Sequence, residues 1–252
     1  MLPTPDTSHV PYERVYEPAE DSFLLLDTLS AESEKQFLQQ RFANAAPLIL
    51  EIGTGSGVVL AFINAHAKTI LGSRWALTAG VDLNAYACEA TAETIQRAQQ
   101  DNPETHATHL GSCLGDLASP WRSNVVDVLI FNPPYVPTPE MPSKPANFLD
   151  DTRSDGKPTF ENDSYLLSLS YAGGRDGMET TDRLMASIPN ILSPAGCAYI
   201  LLCQQNNPDD IKQRVLNFGP EWKALTVGSS GKTAGWEKLQ VVRIWRDGED
   251  GA

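Results

Sequence analysis

Asn132, Pro133, Pro134 and Tyr135 are the residues whose order most directly suggests chemistry in this chain. They follow the apolar run Val125 to Phe131, so a polar amide and two residues unable to continue a hydrogen-bonded ladder end a strand candidate. The side-chain carbonyl of Asn132 and the main-chain carbonyl of Pro133 offer a pair of acceptors matched to the two hydrogens of a planar NH2 group. The prolines fix the backbone that aims them. Holding both N–H bonds favours the passage of that nitrogen from planar to tetrahedral as a new bond forms, which concentrates stabilisation in the transition state. The ring of Tyr135 can stack on a flat amide or base.

A second cluster is "LEIGTGSG", with Glu51 at a strand end, then Gly53, Thr54, Gly55 and Gly57 before a helix candidate that begins at Val58. Glycines let the backbone turn sharply and approach a ligand with no Cβ in the way. The spacing is not the dinucleotide pattern G-x-G-x-x-G, because Val58 follows Gly57. Asp82 closes the next strand in "GVDLN", where a carboxylate can accept both hydroxyls of a ribose. A third cluster, Tyr16, Glu17, Pro18, Glu20 and Asp21, stands in front of an apolar helix, with Asp21 or Ser22 as its expected cap.

Strands must end where these groups stand. Pro47 to Gly53, Ala76 to Leu83, Val125 to Asn132 and Cys197 to Gln204 are short runs of branched apolar residues, and helical patterns cover Val58 to Lys68, Ala85 to Gln100 and Thr180 to Leu192. Strand, helix, strand in repetition predicts a parallel sheet with crossover helices on both faces, and ligands bind beyond the carboxyl ends of such strands. "EDSFLLLDTLSAESEKQFLQQRF" predicts one or two helices ahead of the first strand. "WKALTVGSS" and "EKLQVVRIW" predict a closing antiparallel pair around a glycine-containing turn. Asp127, inside its strand, is expected to have a structural or loop-facing role. Residues 136–162 are rich in proline and charge and predict a flexible insert, and 247–252 a disordered tail.

Composition narrows the classes. The chain has 252 residues, 41% hydrophobic and 20% charged, which suits one domain with a sizeable core. No segment nears the roughly 20 apolar residues of a membrane span, and the first residues show no secretory signal, so a cytosolic or nuclear location is expected. Cys88, Cys113, Cys197 and Cys203 form no C-x-x-C pair and lie near no histidine pattern, which points to buried small residues and neither disulfides nor a metal site. With 19 basic against 32 acidic residues and a net charge of −13, direct nucleic-acid binding is disfavoured.

Glu51 with its glycine turn, and Asp82 at the second strand tip, resemble the cofactor site of class I S-adenosylmethionine methyltransferases. The tetrapeptide at Asn132 resembles the [DNS]-PP-[YFW] motif of enzymes that methylate amino nitrogens of adenine or cytosine, or the amide of glutamine. With "VYEPAEDSFLLLDTL", "YAGGRDGMETTDRL" and "LSPAGCAYILLCQQNNPDDI", the chain from about Val15 to Trp245 resembles the eukaryotic HemK-like class I release factor glutamine methyltransferases. That resemblance implies a Rossmann-like fold with a seven-stranded, mostly parallel sheet carrying one antiparallel strand and helices on both faces. It implies a single domain, with residues 1–46 as a helical extension over the cofactor.

For the site, the resemblance implies catalytic roles for Asn132, Pro133, Pro134 and Tyr135. Cofactor contacts follow from Tyr16, Pro18, Glu20, Asp21, Glu51, Gly53, Thr54, Gly55, Gly57, Asp82 and Asn132. Leu83 or Asn84 would flank adenine, and Cys113 stands where the family places an acidic residue near that ring, with Asp116 three residues later, so main-chain groups of Cys113 and Leu114 are expected to meet adenine instead. The implied substrate is the glutamine of a Gly-Gly-Gln tripeptide in the translation termination factor, and the implied partner is a small zinc-binding activator, for which the sheet edge near "THATHLGS" is the expected dock. The competing readings are an adenine amino methyltransferase on DNA or RNA, and a scaffold without turnover.

Overall fold

The computed structural model describes residues 2–146, 148, 159–231 and 238–247. Seven strands form one sheet: β1 Leu48–Ile52, β2 Leu77–Asp82, β3 Thr108–Leu114, β4 Val126–Phe131, β5 Leu192–Cys203, β6 Trp222–Ser229 and β7 Leu239–Arg246. Their spatial order is β3-β2-β1-β4-β5-β7-β6. Neighbours from β3 to β5 pair in parallel, and β7 runs antiparallel to both β5 and β6. This is the mostly parallel seven-stranded sheet with one reversed strand that the resemblance implies.

The helices are α1 Glu20–Ser30, α2 Glu32–Arg41, α3 Val58–Ala65, α4 Ala67–Ile70, α5 Ala85–Asp101, α6 Phe160–Tyr171, α7 Glu179–Ile191 and α8 Pro208–Leu216. Successive side chains of a strand point to opposite faces, and here both faces are buried. Along β5, Cys197, Tyr199 and Leu201 join the core under α1, α2 and α3, whereas Ala198, Ile200 and Leu202 join the core under α7 and α8. Burial on both sides explains why the central strands read as unbroken apolar runs.

The N-terminal helices are anchored, not loosely appended. Leu25 and Leu29 of α1 are fully buried, and each such side chain contributes roughly 1.5–3 kcal/mol. On α2, buried Glu34 accepts from the Arg243 guanidinium at 2.7 Å and from the Tyr199 hydroxyl at 2.9 Å. The same guanidinium lies 3.6 Å from the centre of the Phe37 ring. A buried charge needs such partners, and this set ties α2 to β5 and β7.

Strand register builds the site. Ile52 stands beside Val81 on one flank and Phe131 on the other. The next residues, Gly53, Asp82 and Asn132, therefore end three adjacent strands at one level.

Several expectations are corrected. The N-cap of α1 is Ala19, with no side-chain cap bond, and Asp21 is inside the first turn and turned inward. Cys197 and Cys203 are buried, but Cys88 on α5 is half-buried and Cys113 is exposed, the latter because β3 lies at the sheet edge. The helix expected over Val58 to Lys68 breaks at His66 into α3 and α4. α6 opens within the presumed insert at Phe160; residues 147 and 149–158 of that insert, and 248–252 of the tail, lie outside the described residues. Asp127 is structural: its carboxylate accepts from the Leu48 N–H at 2.8 Å and the Ser193 hydroxyl at 2.5 Å.

Candidate active site

The turn after β1 is built for close approach. Gly53, Gly55 and Gly57 have φ of 67°, 51° and 78°, left-handed values that glycine adopts without a Cβ penalty. At Gly57 a Cβ would also stand 2.6 Å from the Thr91 backbone, so this position fixes how tightly α3 packs on α5. The Gly53 N–H donates to the Val81 carbonyl at 2.8 Å, and the Gly55 N–H to Asp82 Oδ2 at 3.0 Å. Thr54 is buried and accepts from the Thr91 hydroxyl at 2.8 Å.

Glu51 is 2% exposed, and its Oε2 accepts the Leu60 N–H at 2.9 Å. Leu60 is in the first turn of α3, whose cap residue Gly57 has no side chain to offer; Glu51 meets one of the helix's orphan donors instead. Burial pushes the Glu51 carboxyl well above the usual glutamate range, against the pull of that N–H. Burial likewise raises Asp82, whose Oδ1 accepts the Asn84 N–H at 2.8 Å. Among the described residues, these two carboxylates are met by backbone N–H groups and no lysine or arginine. A cavity lined by buried Glu51 and half-buried Asp82, neither met by a cation, favours a cationic ligand.

Asn132 reaches this cavity from β4. Its Nδ2 donates to Asp21 Oδ2 at 3.1 Å, and the Tyr16 hydroxyl donates to the same oxygen at 3.0 Å. Asp21 Oδ1 accepts from the Ser22 N–H at 2.6 Å and the Ser22 hydroxyl at 3.2 Å. A carboxylate accepts only, so Asp21 dictates which end of the Asn132 amide faces it. The other end, Asn132 Oδ1, is buried with no hydrogen-bond partner. Buried acceptors are rarely left so, because an unmet one costs about 1–3 kcal/mol. The atom expected to receive an N–H is the atom the fold leaves open.

The cavity is lined by Tyr16, Glu51, Gly53, Thr54, Gly55, Asp82, Leu83, Asn132 and Pro134 of the expected residues. Pro18, Glu20, Asp21, Gly57, Pro133 and Tyr135 are not among its lining; Asp21 and Gly57 act one layer behind it, Glu20 is exposed, and Tyr135 packs against the core. Cys113 and Leu114 are exposed at the end of β3 and are not among the lining, whereas the residues past the strand, Gly115, Asp116 and Leu117, are. Leu117 has φ of 51°, a left-handed value uncommon for leucine and concentrated at functional sites. Asp116 is ion-paired with Arg183 of α7 across this end of the cavity. Ser22, Leu166, Leu169, Ser170 and Thr180 also line it; Ser22 and Thr180 fall within stretches that carry the resemblance, whereas Leu166, Leu169 and Ser170 carried no sequence motif, and the Gly115–Asp116 pair after a strand offered a signal for its own end.

No family model matches the chain. Methyltransferase HEMK2 of Mus musculus is 33% identical over 249 residues, covering 96% of each chain. The Schizosaccharomyces pombe protein named eRF1 methyltransferase catalytic subunit mtq2 is 31% identical over 253 residues, covering 98% of this chain and 97% of that one. The chain belongs to the HEMK2 methyltransferase family. A Methanocaldococcus jannaschii protein with the provisional name protein N5-glutamine methyltransferase is 30% identical over 236 residues, 93% of each chain. The solved structure of human methyltransferase 10 domain containing protein shares the fold, with a TM-score of 0.51 at 11% identity over 94% of this chain and 87% of that one.

As a HEMK2 family member, the protein is a methyltransferase. The residues present fit S-adenosylmethionine as its methyl donor. The left-handed glycines leave room beside the β1 turn, Asp82 stands at the β2 tip for the ribose, and the two carboxylates, Glu51 buried and Asp82 half-buried, suit a ligand with a sulfonium and an ammonium group.

Proposed function

We propose that this HEMK2 family member methylates the side-chain amide nitrogen of a glutamine, the one in a Gly-Gly-Gln tripeptide of the eukaryotic translation release factor. The observation that carries the reading is the open Asn132 Oδ1, buried and aimed by Asp21, at the strand end beside the glycine turn. The names of the relatives from Schizosaccharomyces pombe and Methanocaldococcus jannaschii support the release factor and the glutamine.

When bound, S-adenosylmethionine supplies an electrophilic methyl carbon on a sulfonium leaving group. Asn132 Oδ1 accepts one amide hydrogen of the substrate, and the Pro133 carbonyl accepts the other. With both N–H bonds held, the nitrogen faces the glycine turn and moves toward tetrahedral geometry as it attacks, so the hydrogen bonds strengthen toward the transition state. Asp21, through Nδ2, keeps the Asn132 carboxamide from turning its NH2 toward the substrate. The excess proton leaves to water after the carbon–nitrogen bond has formed, and no general base is required before attack.

The enzyme works as the catalytic subunit of a heterodimer with a small zinc-binding activator. The β3 edge is the proposed dock: Leu110 and Leu114 are 56% and 52% exposed on a strand paired on one side only, with β2, and such an edge invites strand addition. A substrate from the translation machinery implies action in the cytosol, with the nucleus as a second location.

The test is methyl transfer from labelled cofactor, with the activator present, to release factor and to DNA in parallel. Label on the factor, lost when the tripeptide glutamine is changed to alanine, is the expected result. Label on DNA with none on the factor overturns the proposal in favour of an adenine amino methyltransferase.

A further inference from the structure

One buried side chain that takes no part in the reading above holds the N-P-P-Y loop from behind. Asn206, 3% exposed, ends a short 3-10 turn that follows β5. Its Oδ1 accepts the Cys203 N–H at 2.8 Å, which fastens it to the end of β5. Its Nδ2 donates to the Tyr135 carbonyl at 3.1 Å and to the Asp176 carbonyl at 3.1 Å, with the Gly177 carbonyl at 3.4 Å. An amide NH2 has two hydrogens, so its whole donor capacity is engaged in joining the acceptor loop to the turn that precedes α7.

That turn fits the loop with no room to spare. A Cβ on Gly177 would stand 2.0 Å from the Tyr135 carbonyl oxygen, and one on Gly173 2.4 Å from that of Pro134. Gly177 has φ of 70°, which glycine adopts freely, and Asp176 φ of 56°, so the turn carries its strain at Asp176. The Val136 N–H donates to the Tyr171 carbonyl at 2.9 Å, and the Gly173 N–H to the Val136 carbonyl at 2.8 Å. Between these contacts and Asn132 lie two prolines with fixed φ. A shift of the Tyr135 carbonyl is therefore carried back to the Asn132 carboxamide with little absorbed on the way.

We propose that Asn206 is a positioning residue for methyl transfer. It pins the Tyr135 carbonyl, and through Pro133 and Pro134 it sets where Asn132 Oδ1 meets the acceptor nitrogen. The inference rests on the reading of Asn132 as the group that binds that nitrogen.

The experiment uses Asn206→Ala and Asn206→Asp, the second keeping an acceptor for Cys203 while setting a carboxylate oxygen against the three carbonyls. Both are assayed in the complex in which the wild type is active, with active sites counted by binding of S-adenosylhomocysteine. Misplacement of a reacting group by about 1 Å costs up to roughly 100-fold. The expected result is a kcat per site lower by about 10- to 100-fold, with cofactor affinity within about twofold of wild type. In an Asn132→Ala background, Asn206→Ala should then cost less than about twofold, because the group it aims is gone. A merely structural role lowers the melting temperature and the number of sites but leaves kcat per site unchanged, and that result overturns the proposal. Equal losses in the two backgrounds overturn it as well. If Asn206→Ala does not fold, Asn206→Asp decides by the same readouts. Wild-type enzyme that transfers no methyl to a glutamine peptide overturns the reading of Asn132 itself, an outcome distinct from an unaffected Asn206 variant beside an active wild type.

Discussion

Asp21 shows how a residue that touches no substrate can govern the chemistry. Its Oδ2 receives both the Asn132 Nδ2 at 3.1 Å and the Tyr16 hydroxyl at 3.0 Å, so the carbonyl end of the amide is the end turned away from Asp21 and left without a partner. Hydrogen bonds to a charged group contribute about 1.5–3 kcal/mol, and about 1.4 kcal/mol is tenfold in rate. Asp21→Ala is expected to lower kcat by roughly 10- to 100-fold, measured by initial rates at saturating cofactor; unchanged kcat would show that Asn132 needs no such partner. The importance of Asn132 was readable from its place before two prolines. The hub role of Asp21 was not, because a carboxylate before an apolar helix reads equally well as a cap, and only the approach of β4 to α1 in space distinguishes the two.

At the level of elements, the strand ends carry the site and the helix starts complete it. Glu51 both lines the cavity and meets the Leu60 N–H of α3, at the cost of a buried carboxyl held well above its ordinary value of 4.5. Because the folded chain keeps that proton at pH values where the unfolded chain has lost it, unfolding releases a proton. Stability therefore falls as pH rises above the ordinary value toward the raised one, and the full penalty remains at higher pH. Glu51→Gln retains an acceptor for Leu60 and removes the charge. Thermal melting of the cofactor-free protein at neutral pH should give a higher Tm for the variant, with the difference vanishing below about pH 4, while cofactor affinity falls; a lower Tm at neutral pH contradicts this account of the site. The alternation of apolar runs and helical patterns was enough to place β1, β2, β4 and β5. The position of the residues after β3 was not, since the pairing with β2 slips between Thr78 and Ala79, and Leu110 is an extra residue in the ladder. Counting along the sequence cannot register such a bulge. α6 and the 3-10 turn with Asn206 likewise lack the periodicity that marks a helix against solvent: α6 buries only Leu166 fully.

For the whole molecule, charge and the exposed edge act together. A net charge of −13 repels nucleic acid and leaves recognition of a macromolecular substrate to shape, to local contacts and to a partner. β3 carries exposed Leu110 and Leu114, large apolar side chains left to water on an edge strand. Leu110→Lys should abolish co-purification of the activator while the isolated chain still binds S-adenosylhomocysteine in calorimetry; retained co-purification would move the dock to another face.

The central claim concerns one oxygen, Asn132 Oδ1, and it is tested most directly by the kinetics of Asn132→Ala on the release factor. With substrate and cofactor saturating, kcat should fall by about 100-fold or more, the scale of losing one preorganised hydrogen-bonding group at a reacting centre, while cofactor binding stays within about threefold of wild type. Turnover within a few-fold of wild type would contradict the account.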